Sequence, residues 1–182
     1  MTNTTDKDLF KLLGKFEQQQ KMPPVESWNP TIESQIDIVI NQKGEWFHEG
    51  GYFERQDLAR MFASILRKDG DDYFLVTPVE KLKIKVEDVP FSIVLMKEEK
   101  DQLQFITSLG DEVTLSNDHP MEFRAVAASS AGSADYIPYV MIRNNLWAKV
   151  NQNTYYELIN LAQETADGYV ICSADYRIKI PV

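Results

Sequence analysis

The chain has 182 residues, of which 43% are apolar and 11% aromatic, and its formal net charge is -9. This composition predicts a folded globular protein with one ordinary domain or two small ones. The negative charge disfavours partners such as nucleic acid or an anionic membrane surface, because both bind basic proteins. Cys172 is the single cysteine, which excludes an intrachain disulfide and a cysteine-based metal site.

No apolar run reaches the ~18 residues that a membrane-spanning helix needs. The first residues, Met1 to Asp8, are polar and lack the apolar core of a signal peptide. We therefore expect a cytoplasmic protein without a membrane partner.

The chain is predicted to begin with an amphipathic helix. Thr5 and Asp8 have the spacing of a capping box. The residues that follow form one apolar stripe at helical spacing: Leu9, Leu12, Leu13 and Phe16. Because Pro23-Pro24 cannot continue a helix, residues 1–24 are predicted to be an N-terminal helix and its connector.

Residues 25–97 are predicted to form a first α+β unit. Ile36, Ile38 and Ile40 alternate with other residues as in a strand, and Asn41–Gly44 has the composition of a hairpin loop. After a second strand through Trp46, an apolar stripe from Leu58 to Leu66 predicts a helix that ends at Asp69-Gly70. Two further strands are predicted at Tyr73–Val76 and Lys81–Val86.

The same series recurs in residues 139–182, which form the core of a second unit predicted to span 98–182. Trp147 corresponds to Trp46, and Tyr169–Cys172 corresponds to Tyr73–Val76. In the repeat, Thr154 and Glu157 suggest a capping box, and Asp167-Gly168 is expected to end the helix. The predicted fold class is α+β, with an N-terminal helix and two similar units, each a mainly antiparallel sheet with one packed helix.

Two basic strands are the clearest candidates for a ligand site. Lys81, Lys83 and Lys85 alternate along one strand, and Arg177 and Lys179 occupy the corresponding strand of the repeat. Such ridges could flank a groove for an anionic ligand. The alternative is that the lysines protect exposed sheet edges from pairing with other chains.

A second candidate is the segment around His48 and Glu49, which precedes Gly50-Gly51. Alternation along a strand places the two side chains on opposite faces, unless the glycines create a bulge. In an enzyme, a carboxylate of Glu49 or Asp88 would act as general base and Arg55 would hold an anion. The alternative is a solvated strand end. The sequence predicts neither a metal site nor a cofactor.

The stretch Gly44-Glu-Trp46, His48–Gly51, Arg55, Leu75–Pro78 and Val86–Phe91 resembles a bacterial family known as a domain of unknown function, number 1285 in that series. The resemblance extends from about Pro23 to Val182. It implies two similar α+β units and a role in signal transduction. It assigns no activity and no catalytic residue.

Three functional hypotheses follow. The first is a non-enzymatic sensory or regulatory module that binds a small anionic ligand or a protein partner between its units, through Arg55, Lys81, Lys83 and Lys85. The second is a hydrolase or metal-dependent enzyme that uses His48 and Glu49. The third is a structural adaptor that forms a homodimer. The first copy contains the segments His48–Gly51 and Asp88–Phe91, which have no counterpart in the second copy. The sequence therefore favours a site in the first copy.

Overall fold

The computed structural model describes residues 22–126 and 135–181. Within these residues the chain divides into two compact units. The first comprises residues 22–40 and 45–87, and the second comprises residues 41–44 together with those from 88 onward. The boundary between the units was predicted at 97/98, whereas the compact units divide at 87/88. No helix in the described ranges is both long enough and apolar enough to span a membrane.

The first unit is one six-stranded sheet with a short helix. After a 3₁₀ turn at Val25–Ser27, its elements are β1 (Ile32–Ile40), β2 (Trp46–His48), β3 (Gly51–Tyr52), α1 (Gln56–Ser64), β4 (Leu66–Asp69), β5 (Asp72–Val76) and β6 (Glu80–Val86). The strand order is β3-β2-β1-β6-β5-β4. The β1–β6 pair is parallel and every other pair is antiparallel. Ile38, Trp46 and Leu75 are almost fully buried in its core.

The second unit contains two sheets and one helix. Its elements are β7 (Phe91–Glu99), β8 (Gln102–Thr107), β9 (Glu112–Thr114), β10 (Met121–Ala125), β11 (Tyr136–Arg143), β12 (Leu146–Val150), α2 (Gln152–Asn160), β13 (Gln163–Thr165), β14 (Gly168–Ser173) and β15 (Tyr176–Lys179). The larger sheet has the order β10-β11-β12-β7-β8-β9, with β12 and β7 parallel. The smaller sheet has the order β13-β14-β15.

The predicted α+β fold class is wrong, because the protein is mostly β. The described chain has fifteen strands and two α-helices of nine residues each. Helices this short bury little: α1 buries Ala59 and Ala63, and α2 buries Thr154 and Leu158. The prediction that one helix packs on the sheet of each unit is therefore not confirmed by the structure. The predicted N-terminal helix lies outside the described residues.

Both helices were predicted too long, and in the first unit the apolar stripe continues into a strand. In the first unit α1 ends at Ser64, and Leu66–Asp69 pairs with β5 as a strand. Asp69 is therefore the last residue of β4, and Gly70, with φ +62°, lies in the turn to β5, so the two residues do not cap a helix. In the second unit Asp167 likewise lies in the turn between β13 and β14, and Gly168 is the first residue of β14.

Candidate functional site

The lysine ridge, which consists of Lys81, Lys83 and Lys85 on β6, is neutralised by neighbouring carboxylates. The Nζ–carboxylate pairs are Lys81 with Glu33 and with Asp69, both at 3.2 Å, Lys83 with Asp72 at 2.7 Å, and Lys85 with Glu87 at 3.9 Å. The ammonium group of Lys81 also lies 4.1 Å from the centre of the Phe74 ring. The ridge is therefore a set of ion pairs, and an anion would have to compete with the acids for it.

The position of β6 in the sheet decides against edge protection as the reason for these lysines. β6 pairs with β1 on one side and with β5 on the other, so it has no free edge. A depression of about 310 Å³ does lie at this end of the sheet, and its lining includes Lys83 and Lys85. Asp71 and Asp72 line it as well, so its charge is mixed.

Arg55, the predicted anion-holding residue, lies on the surface directly before α1. Its Nη2 donates to Oδ2 of Asp57 at 2.6 Å, and both side chains are largely exposed. This hydrogen bond lowers the pKa of Asp57. The structure thus gives Arg55 an acidic partner two residues away, at the first turn of the helix.

His48 and Glu49 lie in the tight connection between β2 and β3, and both are exposed. Glu49 adopts a left-handed conformation with φ +48°, and its backbone N–H donates to the carbonyl oxygen of Asp37. The His48 ring lies edge-on to Phe53, with centroids 6.4 Å apart. Among the described residues, no three His, Cys, Asp or Glu side chains are grouped so that they could hold a metal ion.

Asp88, the third catalytic candidate, belongs to a polar network in the second unit. Its Oδ2 accepts a hydrogen bond from the Tyr139 hydroxyl at 2.8 Å and lies 3.2 Å from Nζ of Lys149. Burial, and then the hydrogen bond to Asp88, raise the pKa of Tyr139. The guanidinium of Arg124 lies over the Tyr139 ring at 4.0 Å. Because two donors already engage Asp88, it is suited to orienting Lys149 rather than to removing a proton.

A groove of about 790 Å³ lies in the second unit and is here called the tyrosine groove. It is open to solvent and combines aromatic, cationic and amide side chains. Its lining consists of Gln42, Lys43, Ser92, Val126, Asp135, Tyr136, Ile137, Pro138, Lys149, Val150, Asn151, Gln152, Tyr155 and Tyr156. None of the predicted ligand residues in the first unit contributes to this lining.

The loop Asn41–Gly44 brings Lys43 to the groove. The Asn41 side chain accepts a hydrogen bond from the Lys43 backbone N–H at 2.9 Å, and the Gly44 N–H donates to the Asn41 carbonyl at 3.0 Å. Gly44 has φ +77° and packs closely on β7, because a Cβ atom there would lie 3.2 Å from the Ser92 nitrogen. Only glycine satisfies both conditions without strain. The loop that carries Lys43 is therefore fixed in place.

The start of α2 supplies the aromatic wall of the groove. Asn151 is the N-cap, and its side chain accepts a hydrogen bond from the Thr154 N–H at 2.9 Å. The sequence had suggested a cap at Thr154, three residues later. Because the helix begins at Gln152, Gln152, Tyr155 and Tyr156 all lie in its first turns and line the groove.

Comparison with known proteins identifies the family. The family model described as the N-terminal domain of DUF1285, a domain of unknown function, matches residues 23–89, and the model of its C-terminal domain matches residues 90–178. The chain belongs to the DUF1285 family. This confirms the resemblance that the sequence motifs indicated. The two matched regions correspond to a two-domain architecture, as expected from the internal repeat.

Two solved structures of the DUF1285 family are similar to this chain. One is a crystal structure of a DUF1285 family protein from Silicibacter pomeroyi DSS-3, with 30% identity, a TM-score of 0.77 and coverage of 87% of each chain. The other is from Shewanella baltica OS155, with 29% identity and a TM-score of 0.53, and the alignment covers 68% of this chain and 90% of that one. No curated protein matches the chain.

Proposed function

We propose that this DUF1285 protein is a non-enzymatic sensory or regulatory module of bacterial signal transduction that binds a small anionic ligand in the cytoplasm. The observation that carries the proposal is the tyrosine groove of the second unit. Its volume falls within the range of roughly 300–1,000 Å³ that is typical of small-molecule sites. Its lining is mixed: seven residues are apolar or aromatic, and the other seven are polar or charged and could orient a ligand.

Two cationic side chains support an anionic ligand. Lys149 is held at the groove by Asp88 and is about 28% exposed. Lys43 has no ion-pair partner within the described ranges. Both belong to a protein with a net charge of -9, so a local pair of lysines stands out from its surroundings. An anion in the groove would be attracted to Lys43 first, since Lys149 already has a carboxylate partner.

The enzyme hypothesis has less support from the geometry. His48 and Glu49 are exposed side chains at a turn, and Asp88 is occupied by Tyr139 and Lys149. An active site needs its acid, base and substrate-holding groups to converge on one reacting atom. Within the first unit, Arg55 and His48 carry separate local contacts, with Asp57 and Phe53 respectively.

A thermal-shift screen with phosphate- and carboxylate-bearing metabolites tests the proposal. A ligand that binds the folded state at 100 times its Kd adds about 2.7 kcal/mol of stability. For a chain of this size, that corresponds to a rise in Tm on the order of 5–10 °C. Hits are then titrated by calorimetry against Lys43→Met and Lys85→Met, which each remove one exposed cation.

The two variants separate the groove from the lysine ridge. If the ligand binds in the groove, Lys43→Met should lower its affinity and Lys85→Met should leave its affinity unchanged. The opposite pattern would move the site to β6 in the first unit. A screen in which no anion stabilises the wild-type protein would count against ligand sensing altogether.

A further inference from the structure

We infer that the ligand of the tyrosine groove carries an aromatic ring as well as a negative charge. This inference rests on the proposed function and narrows it to a chemical class, such as mononucleotides or aromatic carboxylates. Three tyrosines, Tyr136, Tyr155 and Tyr156, line a single cavity together with two lysines. The two kinds of side chain come from different elements: the tyrosines from β11 and α2, and the lysines from β12 and the loop 41–44.

The aromatic surface is positioned before any ligand arrives. Tyr155 and Tyr156 both line the groove, with ring centroids 6.2 Å apart and planes tilted by 31°. The Gln152 side-chain amide donates to the Tyr156 hydroxyl at 3.1 Å, which restrains that ring. Tyr156 nevertheless remains 58% exposed. A restrained and exposed aromatic ring beside a cavity is suited to stacking on a planar group, since little rotamer entropy is lost on binding.

The size and charge of the groove disfavour a bare inorganic anion. Inorganic phosphate would fill only a small part of 790 Å³ and would leave the tyrosines without contacts. Asp135 also lines the groove, so the site is not uniformly positive. A ligand that places its charged group near Lys43 and its ring against the tyrosines uses both features. A ring is also attracted to tyrosine faces in offset or edge-on geometry, which adds to simple area burial.

The test compares whole ligands with their fragments by titration calorimetry. The ring-bearing anions are adenosine 5′-monophosphate and 4-hydroxybenzoate. Their ring-only counterparts are adenosine and phenol, and their ring-free counterparts are ribose 5-phosphate and acetate. We expect at least one ring-bearing anion to bind about tenfold or more tighter than either of its fragments, because one stacked ring contributes on this scale.

Tyr156→Ala is the diagnostic variant, and Tyr169→Ala is its matched control. Both tyrosines belong to the second unit and are about half exposed, at 58% and 48%, but only Tyr156 lines the groove. Tyr156→Ala should reduce the affinity of the ring-bearing anion to that of its ring-free counterpart, and Tyr169→Ala should leave it unchanged. Lys43→Met should instead reduce it to that of the ring-only fragment. Because Tyr156 is exposed, its loss should leave the Tm close to that of the wild type.

The outcomes distinguish this inference from the proposed function. If ring-free anions bind as tightly as ring-bearing ones, and Tyr156→Ala changes neither, the ring requirement is wrong although anion binding stands. If the ring-only fragments bind as tightly as the whole ligands and Lys43→Met has no effect, the groove is an apolar site and the anionic part fails. If no probe of any kind binds, both proposals fall.

Discussion

Arg67 is a buried charged residue that holds the segment before β1 in place, and its replacement by Met tests how much this contact stabilises the fold. The side chain lies on β4 and is about 10% exposed. Its Nη1 donates to the backbone carbonyls of Val25 at 2.9 Å and of Trp28 at 2.8 Å. Its Nε and Nη2 donate to the two carboxylate oxygens of Asp69 at 2.8 and 2.9 Å. One guanidinium thus ties the connector before β1 to the sheet.

Arg67→Met keeps the apolar stem and removes all four hydrogen bonds. Breaking a buried pair from one side typically costs about 3–5 kcal/mol, and a buried carbonyl that loses its donor costs about 1–3 kcal/mol. The Val25 carbonyl keeps a second donor, the Trp28 N–H at 3.2 Å. Asp69 is about one-third exposed and keeps Lys81 as a partner, so water and that lysine recover much of this loss. We therefore expect the free energy of unfolding to fall by roughly 3 kcal/mol. In a urea titration this moves the midpoint by about 1.5 M, taking an m-value near 2 kcal/mol/M.

Arg55→Met is a matched control, because Arg55 and Asp57 have the same spacing as Arg67 and Asp69. The Arg55 pair is exposed to solvent, so its loss should not move the urea midpoint measurably. The double variant Arg67→Met/Asp69→Asn should recover part of the lost stability by removing the carboxylate that the first change leaves behind. Equal midpoint shifts for Arg67→Met and Arg55→Met would refute the argument that burial determines the cost.

Three further predictions concern single side chains. Ser173→Ala removes a buried hydroxyl that accepts a hydrogen bond from one backbone N–H and donates to one carbonyl. In urea titrations it should lower the free energy of unfolding by about 1–3 kcal/mol. Ser108 is exposed, so Ser108→Ala should leave the free energy of unfolding unchanged. Gly44→Ala should cost more stability than Gly70→Ala: both require a positive φ, at about 1–2 kcal/mol, but only the Gly44 Cβ meets neighbouring backbone. The raised pKa of Tyr139 stabilises the fold below its unfolded value near 10, and this contribution is lost as the pH rises towards the folded value. Urea midpoints between pH 8 and 11 should therefore fall less steeply for Tyr139→Phe than for the wild type.

The strand patterns of the sequence were more informative than its helix patterns. The alternation of Ile36, Ile38 and Ile40 predicted β1, and Asn41–Gly44 predicted the hairpin that follows. The stripe from Leu58 to Leu66 was misassigned beyond Ser64, because Ile65 and Leu66 suit a buried helix face and a buried strand equally well. Pairing with β5 across the turn at residues 70–71 decides between the two, and the spacing of the apolar residues does not reveal that pairing.

The candidate groove was missed for a related reason. Its lining comes from separate stretches of chain, around residues 42–43, 92, 126, 135–138 and 149–156, and no single stretch contains a recognisable motif. The one local signal was the pair Tyr155-Tyr156 directly after the helix start. Both rings line the groove, and Tyr156 is largely exposed. The sequence favoured the first copy as the location of a site, but the larger cavity lies in the second.

The difference between the two copies explains where the groove forms. Both units run through a hairpin, a short helix and a three-stranded meander, whereas the repeat predicted only two strands after each helix. In the first unit the last strand, β6, pairs with β1 and completes one sheet, whereas β15 stays at the edge of a separate sheet. The second unit instead pairs β12 with β7, and the Asn151 N–H donates to the Ile93 carbonyl.

That pairing brings the start of α2 to β7, beside Ser92. The corresponding strand of the first unit, β2, has only the two-residue β3 as its outer neighbour. A duplicated sequence therefore repeats its elements without repeating their partners. The groove follows from the pairing of β12 with β7, so variants that weaken this pairing should abolish ligand binding before they unfold the first unit.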